Sequence, residues 1–353
     1  MRIAIDCRYL GMSGIGTFLQ NILQTLLASH PEHEYLLVCN ENCEAMIRDH
    51  KHAKVLQVKA VPLSFRELFC FPVREINRCD VFFTPYVSVP VGITVPIFTT
   101  IHDMLFFDCP ELFSALQRWS RKRYLKRTIR KSAEIFTVSQ FSKSRIEHHF
   151  GTTRPVRVLG NSICAQLKDY EPTGIQKDDT IVFVGNIKAH KGLKCLLQAY
   201  AELRKEGCKS ELLIIGESRH FRTKDKTTLA LLEHQAGLSF TGYLSDEELY
   251  ERVARARLLV QPSYYEGFGI PPMEALYLGT NVLVSDIPVF REVYQNLPVT
   301  FFKVGDVSDL KNKLMTDYPA LDVARVRADI NQQYAIQGQV NLLLEDLMKA
   351  VAR

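Results

Sequence analysis

At 353 residues the chain is longer than one hydrophobic core usually supports, so two domains are expected. A content of 46% hydrophobic and 24% charged residues is that of an ordinary globular protein and excludes a disordered or fibrous one. Nine cysteines without a Cys-x-x-Cys pair argue against a disulfide framework or zinc site and suit free thiols in a reducing compartment. The net charge of +5 is modest.

The chain enters a strand at once, Met1-Arg2-Ile3-Ala4-Ile5-Asp6, with no signal-peptide core. No apolar run approaches the ~20 residues of a membrane span. A cytoplasmic protein is expected, or one attached peripherally to the inner face of a membrane. After the first strand comes the loop 10–17; Phe18, Ile22, Leu23, Leu26 and Leu27 then recur at helical spacing. Gly11, Gly14 and Gly16 are spaced Gly-x-x-Gly-x-Gly, which is not a dinucleotide fingerprint. Their position still matters, because open α/β sheets bind ligands at the C-terminal ends of their strands. Strands are predicted at 35–39 and 55–60 with a helical stretch, 41–50, between them; residues 61–80 read as irregular. Val81-Phe82-Phe83-Thr84 and residues 97–101 read as buried strands, the second running into His102-Asp103. That pair is either a satisfied histidine beside a helix-capping aspartate or a ligand group at a strand end.

Residues 118–131 carry eight bases and no acid: Arg118, Arg121, Lys122, Arg123, Lys126, Arg127, Arg130 and Lys131. Such a helix is either merely solvated or attracted to anionic lipid or nucleic acid. No helix-turn-helix, RNP or zinc-finger pattern accompanies it, so an anionic membrane surface is preferred and nucleic acid is not expected. Ser139 is placed to cap the next helix.

Residues 165–179 are polar and turn-rich and read as an inter-domain linker. A new strand at 181–185 leads into Asn186-Ile187-Lys188-Ala189-His190-Lys191-Gly192, where lysines at a loop–helix junction suit a diphosphate or are simply solvated. Further strands are predicted at 211–217 and 239–242, followed by Ser245 and Glu248 in capping-box spacing. The apolar run Leu258-Leu259-Val260 then feeds the segment 262–278. There Gly267 and Gly269 let the backbone approach a ligand, and Pro271-Pro272 fits the first turn of a helix. A helix start offers N–H groups and a positive dipole end to phosphate. Glu266 lies in the loop and Glu274 eight residues later, in the first turn, so both carboxylates can face one ligand. Residues 341–351 form an amphipathic end.

The spacing Glu266-Gly267-Phe268-Gly269-x-Pro271 with Glu274 resembles the family 4 retaining glycosyltransferases of the GT-B fold. So do the segments from Thr100 to Phe106, Val138-Ser139-x-x-Ser142-Lys143, and Gly242-Tyr243-x-Ser245-Asp246-Glu247-Glu248-Leu249. The resemblance covers nearly the whole chain, strongest over 181–293 and weakest over 40–95. It implies an α/β protein of two doubly wound, Rossmann-like parallel-sheet domains facing a central cleft. Residues 1–164 would be the acceptor side, 165–179 the linker, 180–335 the nucleotide-sugar-binding domain, and 336–353 a helix packing back on the first domain.

It also implies roles. Gly14, Gly16, Asn186, Lys188, Lys191, Glu266, Gly267, Phe268, Gly269 and Glu274 would bind the donor. His102, Glu266 and Lys191 would carry catalysis: His102 and Glu266 at the sugar, Lys191 at the departing diphosphate, with Glu274 on the ribose hydroxyls. Many relatives have an arginine in the loop 186–192; this chain has none, and Lys188 is its substitute. With no Asp-x-Asp motif, no metal and no other cofactor is expected. Mannose from GDP-mannose is the first donor implied, followed by UDP-glucose, UDP-N-acetylglucosamine and dTDP-rhamnose, with a cell-surface glycan or lipid-linked acceptor. A retaining sugar phosphorylase and a non-catalytic sugar-nucleotide-binding protein remain as alternatives; intact Glu266 and His102 argue against the latter.

Overall fold

Short apolar runs buried on both faces build most of the strands, as parallel sheets covered by helices require. The computed structural model describes residues 1–40, 50–62, 64–87, 89–151, 154–171, 174–216 and 236–352. The first sheet holds β1 (Arg2–Asp6), β2 (Glu34–Cys39), β3 (Ala53–Gln57), β4 (Val81–Thr84), β5 (Ile97–Thr100), β6 (Glu134–Thr137) and β7 (Val156–Val158). Among the described residues it is all parallel, in the order β3-β2-β1-β4-β5-β6-β7. The second holds β8 (Thr180–Val184), β9 (Glu211–Ile215), β10 (Leu238–Gly242), β11 (Leu258–Gln261), β12 (Asn281–Ser285) and β13 (Val299–Phe302). Its order is β10-β9-β8-β11-β12-β13, again all parallel. Strand order therefore reverses between β1 and β4 and between β8 and β11. At each reversal the loops leaving the C-terminal ends diverge to opposite faces and open a crevice.

The chain divides into two units, Met1–Cys164 with Tyr334–Arg353, and Ala165–Gln333. In the first, helix Ile336–Val351 packs on helix Ser13–Ser29 and is tied down by Arg157 donating to Asp346 Oδ1 at 2.6 Å. In the second, helix Leu193–Lys205 buries Leu193, Leu196, Leu197, Tyr200 and Leu203 on the sheet, at the spacing the sequence shows. Ser139 caps helix Gln140–Phe150, and Ser245 with Glu248 closes a capping box on helix Asp246–Arg255.

Several expectations need correction. Residues 61–80 are not irregular: they contain helices Phe65–Phe69 and Val73–Ile76, the first capped by Ser64. The linker begins as helix Ala165–Asp169 with Leu167 fully buried, because that leucine finds a core to fill. Strand β13 and helices Val307–Leu314 and Val323–Gln333 add structure where no element was predicted. The helical stretch at 41–50 falls almost wholly outside the described residues. Among the described residues seven cysteines are free, but Cys39 is disulfide-bonded. Among the described residues no helix is long and apolar enough to cross a membrane.

Candidate functional site

The second unit's site is built where β8 and β11 lie side by side. The chain leaves β8, makes a 3-10 turn at Ala189–Lys191, and reverses at Gly192 with φ +69°. A Cβ on Gly192 would come within 1.8 Å of the Pro262 carbonyl oxygen, so only glycine fits. The loop after β8 thus rests directly on the loop after β11, and the Tyr264 N–H donates to the His190 carbonyl at 2.8 Å.

This contact brings Lys191 to Glu266. The ammonium Nζ donates to Glu266 Oε1 at 2.7 Å and Oε2 at 2.8 Å. Ser263 Oγ donates to Glu266 Oε1 at 2.7 Å, and Gln261 Nε2 donates to Ser263 Oγ at 3.0 Å. The Ser285 hydroxyl donates to the Ser263 carbonyl and fixes that turn. His190 is pushed down to about 4 by burial and then by Lys191, so it is uncharged at neutral pH. The loop's cations are therefore Lys191 and the exposed Lys188, with Asn186 half-buried before them.

Gly269, at φ +89°, caps helix Ile270–Tyr277, and a Cβ there would meet the Phe290 ring at 2.5 Å. The helix start is a poorer anion seat than expected. Two of its first four residues are prolines, leaving only Ile270 and Met273 to bring an N–H. Phe268 is 5% exposed, so its ring is packed inside the domain. Glu274 is the fifth residue of the helix, in the second turn and not the first. Burial, with Asp246 adding, pushes its carboxyl up to about 7.

In the first unit, Gly14 and Gly16 fall inside the first turn of helix Ser13–Ser29. A Cβ on Gly16 would lie 2.8 Å from the Tyr9 carbonyl oxygen, which accounts for that glycine by packing; Gly14 faces open space. His102, at the end of β5, packs edge-on against Phe18 at 5.0 Å. Its Nε2 lies 2.8 Å from the Pro85 carbonyl oxygen, which can only accept, so Nε2 carries the proton and Nδ1 the lone pair. Burial pushes the imidazole down to about 4. It is a neutral hydrogen-bond acceptor and a poor base. Asp103 Oδ1 accepts the Leu105 N–H at 3.0 Å, at the start of the next helix.

Sequence reasoning missed two sets of residues. At the β1 end, fully buried Arg8 donates to Asp6 at 2.7 Å and to Glu67 at 2.6 Å, both carboxylates also fully buried. This trio ties the end of β1 to helix Phe65–Phe69; a charged Asp-x-Arg closing an apolar strand was the available signal. The other set is Gln261 and Ser263, signalled by polar residues closing a buried strand.

Two family models match the chain: Glycosyltransferase Family 4 over residues 12–166 and Glycosyl transferases group 1 over residues 167–316. The chain belongs to the group 1 glycosyltransferases. Within this family it is 31% identical over 214 residues to an O-antigen chain mannosyltransferase B of Escherichia coli, covering 55% of this chain and 54% of that protein. The O-antigen chain mannosyltransferase RfbU of Salmonella typhimurium is 30% identical over 199 residues, 56% of this chain and 54% of that one. The alignments thus span about half of these relatives' length. Anabaena Alr3699/HepE in complex with UDP and glucose superposes with a TM-score of 0.75 over 99% of this chain and 100% of that one, at 18% identity. A sucrose-phosphate synthase of Thermosynechococcus elongatus gives 0.72 at 17% identity, over 99% and 100%. At these identities the likeness speaks for the fold, which is GT-B.

Proposed function

We propose that the protein is a retaining glycosyltransferase that moves a sugar, mannose from GDP-mannose as the first candidate, onto a hydroxyl of a cell-surface glycan or lipid-linked acceptor. One observation carries the reading: Lys191 and Glu266 share the strand-order reversal of the second sheet, with Glu274 eight residues beyond Glu266. The names of the two O-antigen mannosyltransferases support mannose and a surface glycan.

In this reading Glu274 accepts the ribose hydroxyls and Lys191 stabilises the charge that grows on the leaving diphosphate. Preorganised electrostatic stabilisation of this kind is commonly worth several kcal/mol. Glu266 faces the sugar, and the lone pair of neutral His102 accepts from a sugar hydroxyl. The acceptor oxygen attacks the face that the diphosphate leaves, and a phosphate oxygen takes its proton. Lys191 and the helix dipole supply the positive charge, so no divalent metal is required. A panel of GDP-, UDP- and dTDP-sugars tests this by thermal shift, since a ligand at 100 times its Kd stabilises by ~2.7 kcal/mol. GDP-mannose is expected to raise Tm and to give a product of retained anomeric configuration with EDTA present. No shift with any nucleotide sugar overturns the donor reading, and recovery only on adding Mg²⁺ overturns the metal-free one.

Membrane attachment belongs to the same reading. In helix Ala115–Lys131, Arg121 stacks on Phe106 and Arg127 donates to the Val89 carbonyl, so both are engaged internally. Arg118, Lys122, Arg123, Lys126, Arg130 and Lys131 are exposed, beside Leu116 and Trp119 at 72% and 58%. Vesicles containing anionic lipid are expected to float with the protein at low salt and lose it at high salt. If a folded variant with Arg118, Lys122, Arg123 and Lys126 changed to Glu floats unchanged, the helix is not the attachment site.

A further inference from the structure

We propose that Glu266 is the counter-ion an arriving diphosphate displaces from Lys191, and that Ser263 is the positioning residue that holds the carboxylate once Lys191 has turned away. The inference rests on the diphosphate reading of Lys191. An ammonium has three N–H groups, and Glu266 accepts two of them, at 2.7 and 2.8 Å. The side chains are 21% and 9% exposed, so water screens the pair only weakly and the attraction exceeds that of an open surface pair. A diphosphate on Lys191 competes for the same N–H groups and is repelled by the carboxylate that holds them. Binding and release of Glu266 are therefore one event, which frees the carboxylate for the sugar as the phosphates seat.

Release would strand a buried carboxylate unless another donor held it. Ser263 Oγ is fully buried and lies 2.7 Å from Glu266 Oε1. Its direction is set by Gln261, whose Nε2 donates to Oγ at 3.0 Å, leaving the hydroxyl proton for Glu266. Gln261 Nε2 itself is 3.5 Å from Glu266 Oε1, too long to replace Ser263. Without the serine hydroxyl, Glu266 would keep Lys191 and resist the diphosphate.

The test is calorimetric titration of inorganic pyrophosphate, which carries the diphosphate without any base or sugar, into the full chain in metal-free buffer. Glu266→Gln is expected to bind about five- to tenfold tighter than wild type, and Ser263→Ala about threefold or more weaker, with Ser263→Thr restoring affinity. In the Glu266→Gln background, Ser263→Ala is expected to change nothing, a result that general loosening of the loop would not give. Thermal melts check that each variant is folded. Equal or weaker binding by Glu266→Gln, with wild-type binding that depends on Lys191, overturns the displacement and leaves the diphosphate reading standing; Lys191 then bridges both anions. An equal effect of Ser263→Ala in both backgrounds overturns the positioning role. No pyrophosphate binding by wild type or Glu266→Gln overturns both readings.

Discussion

Turnover of the Lys191→Ala variant, with the nucleotide sugar that the thermal-shift panel selects, is expected to fall by about 10²- to 10³-fold, the usual cost of deleting one preorganised donor from a developing anion. The effect should appear in kcat as well as in kcat/KM, because the charge on the leaving phosphate grows as the glycosidic bond breaks. If only KM rises and kcat is unchanged, Lys191 contributes uniform binding and its catalytic role is wrong. The variant keeps one partner for Glu266, the Ser263 hydroxyl at 2.7 Å, so a folded protein is expected and its melting curve verifies this. Lys191→Arg is no conservative control: a guanidinium forks onto both oxygens of a carboxylate through two N–H groups and is longer than the compact ammonium that sits between the two Glu266 oxygens.

The second large effect concerns pH. Glu274 carries a carboxyl pushed from 4.5 up to about 7, by burial first and the Asp246 charge second. Between those values the folded protein holds a proton that the unfolded chain has lost. Stability is therefore expected to decline as pH rises through this window, by up to roughly 3 kcal/mol. Glu274→Gln removes the ionisable group, so its Tm is expected to exceed that of wild type at pH 8 and to match it near pH 4.5. On the proposed ribose contact, the same change is expected to weaken nucleotide binding about tenfold at pH 8, because an amide would replace a charged acceptor. Wild-type affinity should in turn strengthen as pH passes 7, with a proton released on binding. A Tm difference that does not vary with pH would show that Glu274 titrates normally and sink the argument.

The sheets were largely legible. Leu258-Leu259-Val260 and Val81-Phe82-Phe83-Thr84 are apolar without alternation, as strands covered on both faces must be, and both are strands. Strand β13 escaped because Val299, Thr300 and Phe301 are only half-buried and the run is four residues long. Helix Phe65–Phe69 escaped although Ser64 and Glu67 stand in capping spacing, because the element is only five residues long and its buried tie is remote. Glu67 must meet Arg8, fifty-nine positions earlier, and no local pattern encodes that.

At the candidate site, the placement of Lys191, Glu266 and His102 in loops that follow strands was readable, but their states were not. That Lys191 is bound to Glu266 depends on the packing of two loops. That His102 is protonated on Nε2 depends on where the Pro85 carbonyl points. Glu274's helical turn was misjudged by assuming a start at the prolines, whereas the helix begins at Ile270.

The seat of Gly192 on the Pro262 carbonyl has a consequence for exchanging parts between related enzymes. Two segments seventy positions apart behave as one piece of tertiary structure, shaped to each other at backbone level, where side-chain repacking cannot absorb a mismatch. Grafting residues 186–192 from a relative with a different specificity would import a curve matched to another 262–266 segment. Chimeras that exchange both segments together should fold and accept the new donor more often than those that exchange either alone. The unit to be exchanged intact is the pair of loops.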